Sequence, residues 1–208
     1  YANINKNDFD AIINGGDTVQ ANMTEGLSWY NSIVADSEID VLNCVGNHDC
    51  YCGEGDWLLC DKEPVYKLLF NHTDDWNVIF SDCANSMSYY RDVDDLRMVV
   101  LDDYYDTWKT RVWLRNILKE AYDLGLHVIT AQHEPTGYVN NTYGSLFHTI
   151  DNYNSKFRNY ELNRTAYDFD HRGRVLYEDV ITEFIEYGGK YVCNLAGHDH
   201  GDEVGLTE

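Results

Sequence analysis

The stretch of sequence that decides the fold is VLNCVGNHD, residues 41–49, in which the apolar run 41–45 ends in the polar turn 46–49. An apolar run of this length that ends in a turn is typical of a buried strand. The same unit recurs at residues 9–17 (FDAIINGGD), 127–133 (HVITAQH) and 191–200 (YVCNLAGHDH). Each predicted strand therefore carries Gly, His, Asp or Asn residues at its carboxyl end.

Amphipathic segments separate most of these strands, and glycines stand where two of the predicted helices stop. The predicted elements are strand 9–14, helix 24–36, strand 41–45, helix 64–70, strands 86–90 and 97–101 around a turn at 92–95, helix 108–124, strand 127–131, an irregular excursion at 137–173, helix 174–187 and strand 191–196. Helices that alternate with strands are the usual connections of parallel sheets, so the pattern predicts an α/β fold. We expect one domain, residues 1–208.

The composition limits the classes of partner. The chain has 208 residues, of which 44% are hydrophobic, and 15 Lys+Arg against 36 Asp+Glu give a formal net charge of −21. A duplex nucleic-acid binder normally presents a basic stripe, so this charge argues against a nucleic-acid partner. No run approaches the roughly 18 apolar residues that a membrane helix needs, so no membrane partner is expected.

Six cysteines raise the question of disulfides or a structural metal. A chain of this length does not depend on disulfides for a core, so we expect reduced thiols and a cytoplasmic location. Cys44 and Cys193 lie inside apolar runs and are expected to be small buried side chains. Cys50, Cys52 and Cys60 leave a structural zinc site open as an alternative, although their spacing is not that of a standard zinc finger.

The polar turns together offer a set of metal ligands. Imidazole, carboxylate and amide donors suit zinc, iron or manganese better than calcium. A single His after a strand is usually a hydrogen-bonded loop residue, but that interpretation is weak when several share the same structural place. Two of them, His198 and His200, point the same way if their turn is extended. The set is Asp17, Asn47, His48, Asp49, His133, His198, Asp199 and His200.

In chain order, the motifs Gly16-Asp17, Gly46-Asn47-His48-Asp49, His133 and Gly197-His198-Asp199-His200 resemble the calcineurin-like metallophosphoesterase family. The family's pattern is D-x-H, GD, GNH[DE], a lone H and GHxH, so all blocks but the first are present. The resemblance implies a metallophosphoesterase-type β-sandwich of two mixed sheets flanked by helices, a four-layer αββα arrangement. It also implies two divalent metal ions, Mn, Fe or Zn.

Carried over to this sequence, the resemblance implies a ligand set. Asp17 bridges the two ions. Asn47, His133 and His198 complete the shell of one ion, and His200 binds the other ion.

The resemblance also implies catalytic roles. His48 binds no metal but donates a proton or hydrogen bond to the substrate, and Asp49 orients its imidazole. The implied reaction is hydrolysis of a phosphomonoester or small phosphodiester by water activated between the ions. Residues 16–20 (GDTVQ) lack the Asp-Arg-Gly that follows GD in the Ser/Thr protein phosphatases, which argues against that branch.

One block of the family pattern, D-x-H, is absent, and with it two ligands of one ion. A complete βαβ unit takes about 30 residues or more, so we expect the sequence to be a fragment that lacks the first strand, ends early and is, as given, a poor catalyst. A non-catalytic metal-binding scaffold of the same fold is the alternative. A secreted glycoprotein also stays open, because N-x-[ST] sequons begin at Asn22, Asn71, Asn140 and Asn163.

Overall fold

The computed structural model describes residues 11–18, 23–37, 39–46, 48–49, 78–82, 86–103, 107–133 and 172–197. Within these residues, no helix is both long and apolar enough to cross a membrane. Several predicted features lie outside them: the helix at 64–70, most of the excursion at 137–173, and Cys50, Cys52 and Cys60.

The amino-terminal part is a parallel strand–helix–strand unit, as predicted. β1 (Ile12–Asn14) pairs with β2 (Val41–Asn43), and α1 (Met23–Ser37) connects them. β2 ends two residues earlier than predicted, although the Cys44 amide still donates to the Asn14 carbonyl at 2.9 Å. The two strands therefore stay together up to the start of their polar turns.

A five-stranded mixed sheet forms the larger part of the structure. Its strands, in spatial order, are β3 (Ile79–Phe80), β4 (Tyr89–Val93), β5 (Leu96–Val100), β6 (His127–Ala131) and β7 (Lys190–Leu195). The first three run antiparallel, whereas β5, β6 and β7 are parallel to one another. β6 has the bounds that the sequence predicted, and β6 and β7 deliver their polar turns at the same edge of the sheet.

The β4–β5 hairpin is tighter than the predicted turn at 92–95. Asp92 lies in β4 opposite Arg97 of β5, and residues 94–95 alone connect the strands. Asp92 accepts hydrogen bonds from the Arg97 guanidinium at 2.7 and 2.8 Å, so its charge is compatible with the ladder. Asp94 takes a φ of 52°, a conformation that Asp tolerates better than most residues.

Two long helices end where the sequence predicted. α2 (Thr107–Leu124) stops before Gly125 and α3 (Arg172–Glu186) stops close to Gly188. Both glycines have positive φ, 71° and 86°, and each amide donates to the carbonyl three residues earlier, at 3.0 and 2.9 Å. This is the glycine cap that satisfies the last carbonyls of a helix. α3 begins at Arg172, two residues earlier than predicted.

The five-stranded sheet is buried on both faces. On one face, Tyr89, Met98 and Val100 pack with Leu42 of β2 and Leu27 of α1. On the other face, the alternate strand residues pack against α2 and α3; these include Tyr90, Val99, Leu114, Leu118, Tyr177 and Val180. The period of two along β4 and β5 divides the side chains between the two cores.

Arg97 fastens the hairpin to α2. Its side chain is almost fully buried and donates to the carboxylates of Asp92 and Glu120 and to the Ile117 carbonyl, at 2.7–2.8 Å. The guanidinium carbon also lies 4.1 Å from the centre of the Tyr90 ring. These contacts satisfy a charge that would otherwise be costly to bury.

The two cysteines in the described residues are both free thiols. Cys44 is fully buried, as predicted. Cys193 was also expected to be buried, but it is only partly so, because β7 is the edge strand among those described.

Candidate metal centre

The ends of β1, β2, β6 and β7 meet at one place, and glycines make the approach possible. The Gly197 amide donates to the His133 carbonyl at 3.0 Å. A Cβ on Gly15 would lie 3.2 Å from the Gly197 Cα. A Cβ on Gly16 would lie 2.7 Å from His133 Nδ1 and 2.9 Å from the Gly46 amide nitrogen. All four turns that the sequence singled out therefore contact one another through described residues.

Asp17 and His133 face each other at this junction. Asp17 follows β1, His133 follows β6, and His133 Nε2 lies 3.3 Å from Asp17 Oδ2. The side chain of His133 is 1% exposed and that of Asp17 is 17% exposed. The other ring nitrogen, His133 Nδ1, lies 2.7 Å from the Gly15 carbonyl oxygen. The imidazole is thus held at both nitrogens.

The Gly15 contact determines which nitrogen of His133 is protonated. A carbonyl oxygen only accepts hydrogen bonds, so Nδ1 carries a proton. In the neutral ring Nε2 then presents a lone pair to the Asp17 carboxylate, and two acceptors would face each other. The contact therefore needs a positive charge, either a second proton on the ring or a cation between the two atoms. A metal-binding His is usually fixed by this kind of hydrogen bond from its second nitrogen.

The separation of the two atoms fits a shared cation. Zinc binds His nitrogen and carboxylate oxygen at about 2.0–2.2 Å in tetrahedral geometry, so two such donors lie about 3.4 Å apart. His133 Nε2 and Asp17 Oδ2 are 3.3 Å apart. The donor set, one imidazole and one carboxylate, also suits zinc, iron or manganese.

The turn that holds Asp17 has a constrained backbone. Asp17 has a φ of 52°, in the left-handed region that non-glycine residues seldom occupy. Its Oδ1 accepts a hydrogen bond from the His48 amide at 2.9 Å, which ties the β1 turn to the β2 turn. Such conformations persist where the surrounding contacts fix them, and they cluster at functional sites.

His48 lies on the open side of Asp17. Its Nε2 is 3.9 Å from Asp17 Oδ2, and its side chain is 32% exposed. The neighbouring Asp49 is fully buried, and its Oδ2 accepts a hydrogen bond from the Gly46 amide at 2.9 Å. This bond stabilises the turn that presents His48. Orientation of the His48 imidazole by Asp49 stays a prediction.

The electrostatics of the site favour an ionised Asp17. Burial raises the pKa of its carboxyl, but the hydrogen bond and charge of His133 and the amide and charge of His48 act in the opposite direction. The pKa therefore falls below the ordinary value of 3.8. Asp17 thus holds a negative charge next to two imidazoles at neutral pH.

A further buried carboxylate lies close to the junction, and the sequence analysis missed it. Asp103 follows β5 directly, is fully buried, and accepts a hydrogen bond at 3.2 Å from Gln132, which precedes His133. Burial, then the negative charges of Asp103 and Asp49, raise the pKa of the Cys44 thiol, which places both carboxylates near Cys44. The signal that was available is Asp102-Asp103 at the end of an apolar run.

The structure brings together Asp17, His48 and His133 of the predicted site. Asn47, His198 and His200 lie outside the described residues, although Gly46 and Gly197, which precede two of them in the sequence, belong to the junction. Within the part of the chain that the structure describes, no group of three or more His, Cys, Asp or Glu side chains is placed to hold a metal ion. The full ligand set stays a prediction.

No model of a known protein family matches this chain, and no curated protein matches it.

Proposed function

We propose that the chain is a metal-dependent phosphoesterase of the calcineurin-like type, which hydrolyses a phosphomonoester or a small phosphodiester. One observation carries the proposal: Asp17 Oδ2 and His133 Nε2 lie 3.3 Å apart, while His133 Nδ1 is fixed by the Gly15 carbonyl. A cation between the two atoms accounts for their facing lone pairs and for the hydrogen bond behind the ring.

The packing of the elements supports the same proposal. Residues of α1 and of the β1–β2 sheet pack on one face of the five-stranded sheet, and α2 and α3 pack on the other face. This is the order of layers expected of an αββα sandwich. The candidate site lies where strands of both sheets end, which is the usual place for a site in a fold built from parallel strands.

In the proposed site Asp17 bridges two divalent ions, Asn47, His133 and His198 complete the shell of one ion, and His200 binds the other. Two such ions, when bound, lower the pKa of a shared water and neutralise the phosphoryl oxygens. The protein supplies the fixed positions of the donors: the His48 amide holds one oxygen of Asp17, and the Gly15 carbonyl holds the His133 ring.

His48 is the proposed general acid. Its partly exposed ring is accessible to substrate, and the Asp17 charge 3.9 Å from Nε2 favours the protonated form. As the water oxygen bonds to phosphorus and the ester P–O bond breaks, His48 Nε2 passes its proton to the leaving oxygen. General-acid catalysis of this kind contributes about 10²- to 10⁴-fold in rate.

The test measures metal binding and turnover separately. Mn²⁺ affinity is determined by titration calorimetry, and turnover is measured with p-nitrophenyl phosphate and bis(p-nitrophenyl) phosphate. We expect Asp17→Asn and His133→Ala to weaken Mn²⁺ binding at least about 10-fold. His127→Ala, at the exposed opposite end of β6, is the matched control and should change neither quantity. His48→Ala should retain Mn²⁺ affinity but lose turnover by about 10²- to 10⁴-fold.

The same experiment decides the alternative function. A non-catalytic scaffold would bind Mn²⁺ through Asp17 and His133 and hydrolyse neither substrate. Equal Mn²⁺ affinity in wild type, Asp17→Asn and His133→Ala would contradict a metal centre at this junction, and wild-type turnover in His48→Ala would remove the proposed acid.

A further inference from the structure

Three polar side chains form a closed group directly behind the Asp17 turn. Asn14 and Asn43 are paired across β1 and β2, at the last position of each strand, and Tyr30 reaches them from α1. Asn14 Nδ2 donates to Asn43 Oδ1 at 3.1 Å and to the Tyr30 hydroxyl at 3.2 Å. The Tyr30 hydroxyl donates to Asn43 Oδ1 at 2.5 Å. Each member thus contacts both others, and we call this group the Asn–Asn–Tyr triad.

The triad is held in place by its surroundings. Asn43 is fully buried, and its backbone carbonyl accepts a hydrogen bond from the Tyr89 hydroxyl of the larger sheet at 3.1 Å. Burial raises the pKa of the Tyr30 hydroxyl to about 12, so the hydroxyl keeps its proton and remains a donor at neutral pH. Closed, buried hydrogen-bond networks of this kind are rigid.

The triad reaches the candidate site through Thr18. Asn14 Nδ2 lies 2.9 Å from Thr18 Oγ1, and Thr18 directly follows Asp17. The turn is therefore fixed at two points, by Asn14 at Thr18 and by the His48 amide at Asp17 Oδ1. Asp17 lies between these two points with its φ of 52°.

We propose that the Asn–Asn–Tyr triad is a positioning device for Asp17: through the Asn14–Thr18 hydrogen bond it holds the metal-binding carboxylate at its distance from His133. The inference rests on the proposed function, because it assigns these residues a task at that metal centre. Groups that hydrogen-bond behind a metal ligand typically change metal affinity by about 10- to 100-fold when they are removed.

The test uses substitutions that keep shape and remove one hydroxyl. Thr18→Val removes the acceptor of Asn14 and should weaken Mn²⁺ binding about 10-fold, and Thr18→Ser, which retains the hydroxyl, should restore affinity to within about twofold of wild type. Tyr30→Phe should weaken binding in the same direction. Tyr122→Phe, on the exposed face of α2, is its matched control and should leave binding unchanged.

A second control separates positioning from general stability. Leu118→Ala removes a buried side chain from the core between α2 and the larger sheet, so it lowers stability without touching the triad. It should leave Mn²⁺ affinity unchanged at a temperature where the protein is folded. The bound Mn²⁺ spectrum by electron paramagnetic resonance should change in Thr18→Val and not in Leu118→Ala.

The outcomes distinguish this inference from the proposed function. If wild type binds Mn²⁺ and Thr18→Val and Tyr30→Phe bind it equally well, the positioning role is wrong and the metal centre stands. If affinity falls as much in Leu118→Ala as in Thr18→Val, the effect is one of stability and the inference is again overturned. If wild type binds no Mn²⁺, the proposed function fails, and the inference fails with it.

Discussion

Gly46→Ala tests the close approach of the β1 and β2 turns on which the candidate site depends. Gly46 is buried, and a Cβ at this position would overlap Asp17 Oδ1 and the Asp17 amide nitrogen and would lie 2.9 Å from the Asp17 Cα. Carbon atoms in contact prefer about 3.5–4.0 Å, so the Asp17 turn must retreat by about 0.6–1.1 Å. We expect a loss of about 3 kcal/mol in unfolding free energy, at the upper end of the range for overpacked sites.

The same displacement should disrupt metal binding. A metal site tolerates distance errors of only about 0.2 Å, and a misplacement of about 1 Å commonly costs about 100-fold in function. Mn²⁺ affinity of Gly46→Ala should therefore fall about 100-fold, measured by calorimetry beside urea unfolding followed by circular dichroism. Gly125→Ala is the control: a Cβ there meets no atom of the described residues within 4 Å, but its φ of 71° should cost about 1–2 kcal/mol with Mn²⁺ affinity unchanged. Mn²⁺ affinity in Gly46→Ala within twofold of wild type would refute the reasoning.

Three further predictions concern the fold and are checked by urea unfolding. Leu118→Ala should lower the unfolding free energy by about 2–5 kcal/mol, whereas Val112→Ala on the exposed side of the same helix should change it by less than about 1 kcal/mol. Arg97→Met should lower it by about 2 kcal/mol, less than for most buried ion pairs, because the carboxylates left behind are partly exposed and regain water. Burial raises the pKa of Tyr30 from 10.0 to about 12, so its stabilising contribution is complete below pH 10 and is lost as pH rises towards 12. Wild type should accordingly lose up to about 2–3 kcal/mol relative to Tyr30→Phe over that range, and equal pH dependence in the two proteins would contradict the raised pKa.

The elements that the sequence predicted best are those with strong local signals. The strand at 127–131 has its predicted bounds because an apolar run lies between Gly125 and the polar Gln132. Both long helices stop where predicted, because the positive φ of Gly125 and Gly188 is a local property of glycine. Such signals need no knowledge of the tertiary structure.

Features that depend on contacts between distant residues were predicted less well. Asp92 was assigned to a turn because it is polar, but the buried Arg97 on the opposite strand keeps it in the ladder. Asn14 and Asn43 are polar residues at the ends of apolar runs, and only the pairing of β1 and β2 with α1 above them makes them a network. Asp103 gave no signal, because its burial depends on neighbouring strand ends.

The candidate site falls between these two cases. The repeated unit of strand and polar turn predicted that Asp17, His48 and His133 lie together, because the carboxyl ends of parallel strands meet at one edge of a sheet. No pattern in the sequence predicted the orientation of the His133 ring, which depends on the Gly15 carbonyl from a different sheet. That orientation is the detail that favours a cation.

The most direct test of the central claim is a crystal structure of the chain with Zn²⁺, with data collected at the zinc absorption edge. The account predicts an anomalous peak about 2.0–2.2 Å from both His133 Nε2 and Asp17 Oδ2, with His133 Nδ1 still bonded to the Gly15 carbonyl. A map with no peak between these two atoms at saturating Zn²⁺, and a protonated His133 paired directly with Asp17, would contradict it.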